Sequence, residues 1–533
     1  MGFHVIMALS PYYLHTSKSS DLADPRDRAL YRMFEILPAA LSWVTLFGIV
    51  LASWLAPAPA SIFIIAFDAY WLIKTVFLSF HLRASYRKMR QHIGENWVAR
   101  LQVLGREQYR ASIGTWRDVY HLVILPFYNE SDEVLRGFLD AVRANDYPME
   151  RVIVVVAAEE RGEEAVARAQ KLQVDYGNQF FKFLVTAHPA DMPGEIPGKG
   201  SNESFAAAVA LREVIDANAI PHERVLVSSL DSDTEVYPQY FACLTYHFVT
   251  AEKPYRSSYQ PIPVYTNNIW SAPALSRVVA SSGTFWQMMQ QARPERLTTF
   301  SSHSMPLGPI AEMGWWQKNI VSEDSRIFWQ LLSYYHGDWR VVPLYYPVSM
   351  DANVAPTFFG TAKNVYKQQR RWGWGVENVP YTLFAFLKDP LIPRAKKFFF
   401  TFNQLEGFWS WGTNSLLIFL LGWLPIILGG EEFGATVLSH NLPRVTRILM
   451  TLAMFGMVTS AIISTALLPP RPPGNPFRKY IWMVLQWLLI PVTIVFFGAI
   501  PGLEAQTRLM LGKHMGFWVT PKYRRNQEAR TPR

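Results

Sequence analysis

A chain of 533 residues exceeds one ordinary domain, so a compact unit with additional elements is expected. Half of the residues are hydrophobic, 19 are Trp and only 17% are charged, an apolar bias relative to soluble proteins that brings a membrane into consideration. The single cysteine, Cys243, excludes an internal disulfide and every multi-cysteine zinc pattern. The net charge of +9 comes without Lys/Arg runs interleaved with aromatics, which argues against nucleic acid and for anionic lipids and phosphates.

The apolar stretch His4 to Leu9 is too short, and lacks the basic flank, for a cleavable signal, so residues 1–36 read as a cytoplasmic segment. Residues 37–80 read as a transmembrane hairpin, with runs 37–56 and 61–80 parted by Pro57 and Pro59. Arg26, Arg28 and Arg32 precede it and Arg83, Arg87, Lys88 and Arg90 follow, which places both ends in the cytoplasm. Asp68 and Lys74 fall inside the second run. Lys74 is expected to snorkel toward the interface, the other reading being a substrate path.

A linker with helical character, 81–115, leads to 116–360, where short apolar runs alternate with charged helical segments: HLVILPFYNE, RVIVVVAAEE, FFKFLVTAH and RVLVSSLDSD. That rhythm predicts an α/β domain whose strands are covered on both faces and whose ligands gather at the strand carboxyl ends. Residues 361–408 hold Gln368-Gln369-Arg370-Arg371-Trp372 and an interfacial stretch flanked by Lys396 and Lys397. C-terminal spans are expected within 409–500, near 409–428, 447–468 and 480–500, before a tail at 501–533. Three such spans would put the tail outside, whereas Arg508, Lys513, Lys522, Arg524 and Arg525 favour the inside. Either the Pro491 run is re-entrant, therefore, or 395–428 crosses twice.

Three motifs carry chemistry. Asp231-Ser232-Asp233 follows the strand Val225 to Leu230, and residues two apart point the same way, so both carboxylates can approach one hard cation bridging a diphosphate. Ser322-Glu323-Asp324 opens a helix. A carboxylate there can take a proton from a hydroxyl, with Asp324 the candidate base beside Glu323. On a helix, Gln368, Arg371 and Trp372 share a face, bringing an amide, a guanidinium for a diphosphate and an indole platform for a sugar to one place. Each has a plainer alternative: a solvated turn, an N-terminal charge cap and an interfacial helix. Asn129 and Glu130 close one strand, and Lys199 between Gly198 and Gly200 opens a helix suited to base or phosphate oxygens. Ser301 to Ser304 and Trp315-Trp316 offer further sugar contacts.

In this order PFYNE, GKGSN, DSD, SED and QQRRW resemble the glycosyltransferase family 2 pattern, particularly the membrane synthases of cellulose, chitin and hyaluronan, over roughly residues 120 to 375. The resemblance implies an α/β nucleotide-diphospho-sugar transferase (GT-A-like) domain combined with an α-helical transmembrane region, inverting chemistry, and Mg²⁺ or Mn²⁺ as cofactor. It implies that Asp231 and Asp233 hold the metal and diphosphate and that Asp324 is the base. Asn129, Glu130, Glu159, Lys199 and Arg371 would then serve the donor, and Gln368 and Trp372 the acceptor. The chain departs from the pattern after the second strand, where Glu159 and Glu160 stand in place of a nucleotide-binding aspartate. The expected partners are a nucleotide sugar, UDP-linked by preference, a glycan or lipid acceptor, and membrane lipids. The expected setting is the cell membrane, multi-pass, with the catalytic domain cytoplasmic. A processive β-glycan synthase leads. A glycolipid synthase adding one sugar, and a non-catalytic transport or scaffold protein, are the alternatives.

Overall fold

The computed structural model describes residues 11–524 except 475 and 522. His4 to Leu9, Lys522 and Arg525 lie outside the described residues. The chain begins with two long helices, α1 (Pro25–Leu55) and α2 (Pro57–Gly94). The Asp24 side chain accepts the Arg26 amide at 2.8 Å and Pro25 opens α1, a capped start that needs no further partner. Pro57 then begins α2 after the single residue Ala56, which folds the pair into a hairpin. Phe47, Trp54 and Ile73 point outward, as expected of side chains that meet lipid.

Eight strands form one sheet: β1 (Tyr120–Phe127), β2 (Val152–Glu159), β3 (Lys182–His188), β4 (Val225–Ser229), β5 (Glu235–Val236), β6 (Ser257–Val264), β7 (Ser304–Pro306) and β8 (Arg340–Ser349), in the order β3-β2-β1-β4-β7-β6-β8-β5. The β3-β2-β1-β4 block is parallel, whereas β7 is antiparallel to both β4 and β6. Alternation decides the core. Val123, Leu125, Val154 and Val156 pack on one face with Phe138 and Phe241, while Leu122, Ile124, Ile153 and Val155 pack on the other with Trp316 and Phe328. Both faces being covered, these runs are continuously apolar, which is why the sequence reads as α/β.

The helices that carry the site are α3 (Lys199–Ala210), α4 (Ala274–Gln291), α5 (Glu323–Tyr334), α6 (Phe358–Gly373) and α7 (Arg394–Leu416). Two further long apolar helices follow, α8 (Val437–Ala466) and α9 (Arg478–Met510). With α1 and α2 they make four helices long and apolar enough to cross a membrane. The 409–428 run is not among them. It divides between the end of α7, a π-turn at Leu417–Leu421 and a short helix, Leu424–Leu428. Pro491 is accommodated inside α9 by the tighter turn Gln486–Leu489 before it.

Candidate active site

The carboxyl ends of β1, β2 and β4 meet the first turn of α5 and the last turns of α6 around a cavity of about 440 Å³. Glu130, Glu159, Lys199, Asp231, Glu323, Asp324, Gln368, Arg371 and Trp372 all line it. Two of the residues expected from the sequence do not. Asn129 turns away and accepts the Glu163 amide at 3.0 Å, fixing the loop after β2. Asp233 is fully buried behind Asp231, where one carboxylate oxygen accepts the Asp351 amide at 3.0 Å. Glu130 lines the cavity but is engaged within the protein, accepting the Tyr128 amide and the Ser232 hydroxyl and so tying the end of β1 to the turn after β4.

The electrostatic centre is Lys199. Its ammonium lies 2.7 Å from Asp231 and 2.8 Å from Asp324, and 3.8 Å from Glu203. Burial alone would lower its pKa, but Asp231 and Asp324 outweigh it and hold the amine well above its usual value. The other Asp231 oxygen accepts the Ser301 hydroxyl at 2.7 Å. Glu323 is different: burial, with Asp324 beside it, pushes its carboxyl well above the usual carboxylate range. Gly200 permits this packing, since a Cβ there would lie 2.9 Å from the Glu323 Cβ.

Glu203 is likewise pushed up by burial, to about 8, with Lys199 opposing. A carboxyl raised from 4.5 contributes stability that is present below pH 4.5 and lost as pH rises to about 8. At neutral pH this opposes folding by on the order of 3 kcal/mol. Glu203→Gln is therefore expected to raise the unfolding temperature at pH 7 to 8 and to leave it unchanged near pH 4. A variant destabilised at every pH would contradict this.

At the opposite wall, Glu159 accepts from Arg161 at 3.0 Å and lies 3.5 Å from His188. His188 is also 3.0 Å from Glu195. Burial disfavours charge on this imidazole, yet the hydrogen bonds to Glu159 and Glu195 prevail and raise its pKa to about 9. The Arg161 guanidinium covers the Tyr128 ring at 5.0 Å. Arg161 and His188 escaped the sequence reading because nothing in the linear text pairs the end of β3 with Glu159.

Glu377, also missed, positions the acidic pair. One of its oxygens accepts the Val321 and Ser322 amides and the Ser322 hydroxyl, and the other accepts the Trp374 indole at 2.9 Å. The start of α5 is thereby fixed to the end of α6. On α6, Arg370 pairs with Glu504 of α9 at 2.7 Å, while Trp372 packs against Phe300 and Tyr265. The segment after α9 crosses the cavity with Phe517, Val519 and Thr520 in its wall. Phe517 lies 5.0 Å from the Arg371 guanidinium and sits so close to Gly198 that a Cβ there would be 2.9 Å from the ring. Arg524 anchors this segment to Asp351 and Glu235. An aromatic and β-branched run in an otherwise basic tail was its only sequence signal.

Two other expectations are corrected, the sugar contacts at Trp315-Trp316 and the snorkelling of Lys74, while His303 has the structural role that a lone histidine more often has. Trp315 and Trp316 are core residues, and His303 is buried, accepting the Trp316 indole and pushed down by burial to about 4. None of these three lines the cavity. Lys74 does not snorkel: it pairs with Glu406 of α7 at 2.5 Å, because Glu406 faces the inner end of the cavity and supplies the counter-charge.

Toward a divalent metal the cavity offers one carboxylate of the pair, Asp231, with Asp233 buried behind the turn. Asp231 and Asp233 are hard oxygen donors at one strand end. Among the described residues no group of three or more His, Cys, Asp and Glu side chains could hold an ion. The phosphate oxygens would therefore complete the coordination.

No protein-family model matches the chain, and no curated protein matches it. Solved structures do. A mannosyltransferase from Pyrobaculum calidifontis in complex with GDP-Man and Mn²⁺ is 13% identical, over 80% of this chain and 99% of its own, with a TM-score of 0.37. S. aureus TarS in complex with UDP-GlcNAc is 12% identical, over 67% and 98%, at 0.35. Glucosyl-3-phosphoglycerate synthase from Mycobacterium tuberculosis in complex with UDP is 13% identical, over 48% and 80%, at 0.28. By its own sheet order and the acidic turn at the end of β4, the α/β part of this chain is GT-A-like, and it is joined to a helical region with four candidate membrane spans.

Proposed function

We propose that this chain is a membrane-embedded inverting glycosyltransferase that takes a sugar from a nucleotide diphosphate, UDP-linked by preference, and extends a glycan. The observation that carries the reading is one cavity that joins Asp231, Asp324, Arg371 and Trp372 to Trp286, Gln404, Glu406 and Trp411 at its inner end. Rings interspersed with amides and a carboxylate suit a saccharide, whose faces stack and whose hydroxyls hydrogen-bond. A single lipid tail would favour an unbroken apolar wall.

Asp324 takes the proton of the acceptor hydroxyl as the anomeric carbon acquires oxocarbenium character. Burial favours the protonated form of Glu323, and the basic role is assigned to Asp324. Arg371 and Lys199 receive the negative charge of the departing diphosphate, and Trp372 with Gln368 orients the acceptor sugar. Glu159 and Arg161 meet the nucleobase over Tyr128. Asp231 and Asp233 would hold Mg²⁺ or Mn²⁺ with the diphosphate, and the ion would supply Lewis-acid neutralisation of the leaving group. With all four candidate spans crossing, the tail and the catalytic domain would lie on one side, and the flanking arginines favour the cytoplasm for it.

The test is a panel of nucleotide sugars with Mg²⁺ or Mn²⁺, reading nucleotide release and product length together. Chains longer than one added sugar are expected. A product carrying one sugar on a lipid would favour the single-addition reading, and no nucleotide release from any donor would refute the enzyme.

A further inference from the structure

Arg277 of α4 is buried, 7% exposed, and no Asp or Glu among the described residues pairs with it. Its Nε donates to Gln486 Oε1 at 2.7 Å and its Nη1 to the Ala272 carbonyl at 2.6 Å, both neutral acceptors. Burial lowers its pKa only to about 10, so the guanidinium keeps its charge at neutral pH. A desolvated charge without a counter-ion is strongly disfavoured, and buried charges are found paired.

Arg277 faces a second cavity, of about 20 Å³, whose wall includes Thr266, Ser281, Ser464 and Gln486 and no acidic residue. The Ser281 and Ser464 hydroxyls and the Gln486 side-chain amide lie in the same wall. Thus a cation and three groups able to donate converge in a wall without an acidic residue, the chemistry of an anion site. Lys479, which donates to the Trp270 carbonyl, adds positive potential beside it. The volume admits about one oxygen atom and excludes a nucleotide. The wall also places it: Ser464 lies in the last turn of α8, and Gln486 follows the first turns of α9, near the point where the chain leaves and re-enters the apolar layer. An anionic lipid headgroup at that end of the two helices would carry a phosphate.

We propose that this cavity binds a phosphate-bearing anion, supplied in the membrane by an anionic lipid headgroup, with one phosphate oxygen seated on Arg277 and the hydroxyls of Ser281 and Ser464. Tyr265 forms part of the wall of both this cavity and the large one, and Trp372 packs against its ring. Occupancy therefore braces the acceptor side of the candidate active site from behind.

Binding is read on the full chain in neutral detergent by native mass spectrometry and by the unfolding temperature. Phosphatidylglycerol is titrated against phosphatidylcholine, with inorganic phosphate as a separate arm at matched ionic strength. Phosphatidylglycerol is expected to bind and stabilise while phosphatidylcholine does neither. Arg277→Gln should weaken this roughly 10-fold or more, with Arg277→Lys retaining part of it. The double variant Ser281→Ala, Ser464→Ala keeps the guanidinium and should also weaken it, which separates loss of the site from loss of fold. If inorganic phosphate alone saturates the same Arg277-dependent effect, the site stands and its source is the free anion. The inference fails if neither probe binds the unaltered chain, or if folded Arg277→Gln and the double variant bind as it does.

Discussion

Asp324→Asn is expected to lower sugar transfer by roughly 10³-fold while leaving donor affinity within about 2-fold, the signature of a lost general base rather than a lost binding contact. The substitution is nearly isosteric, and its amide oxygen can still accept from Lys199, now 2.8 Å from the carboxylate, so the fold around it is retained. No neighbour can replace it. Burial raises Glu323 well above the usual carboxylate range, Glu203 is raised to about 8 and lies behind Lys199, and His303 is depressed to about 4 and hydrogen-bonded to Phe300 and Trp316. Glu323→Gln, which keeps the size of a buried side chain that is not assigned the proton, should cost far less. Comparing nucleotide release rates with donor binding measured on the same preparations decides the matter. Transfer by Asp324→Asn within about 10-fold of the unaltered chain would place the base elsewhere.

How far the written chain discloses this arrangement depends on whether a feature is local. The apolar runs ending in Phe127, Glu159 and Ser229 are legible as strands because burial on both faces leaves no polar alternation to confuse them, and the partly exposed edge run ending in His188 by its apolar residues. Asp231 and Arg371 stand out because strand-end and helical spacing are themselves local rules. By contrast, β7 is only three residues long and its pairing with β4 and β6 depends on partners far away, so no periodicity announces it. The Lys199 bridge between Asp231 and Asp324 joins residues 32 and 125 positions away in the chain, and Glu377 reaches 55 positions back to Ser322. Such contacts are consequences of topology. The same reason explains Asn129 and Asp233: both belong to recognisable motifs, but which way a side chain turns at a strand end is set by the loop packed against it, Glu163 in one case and Asp351 in the other.

That distinction sharpens what is expected of the acidic turn. Asp231→Ala should remove the metal dependence of donor binding and weaken it roughly 100-fold, about 2.7 kcal/mol, because the carboxylate that reaches the cavity is the one lost. It also leaves the Ser301 hydroxyl without its acceptor and Lys199 with Asp324 as its nearest carboxylate, so the ammonium stays charged and the fold is kept. Asp233→Ala acts on more than the metal, since Asp233 accepts the Asp351 amide and Asp351 in turn anchors Arg524 and the segment that carries Phe517. Asp233→Asn, which keeps an acceptor for that amide, isolates the loss of charge. Titrating Mg²⁺ or Mn²⁺ at fixed donor should give a steep rise in affinity for the unaltered chain, a shallow one for Asp233→Asn and a flat line for Asp231→Ala. Parallel curves for all three would mean that the diphosphate is held by Arg371 and Lys199 without an ion, and that the paired aspartates serve the turn rather than the donor.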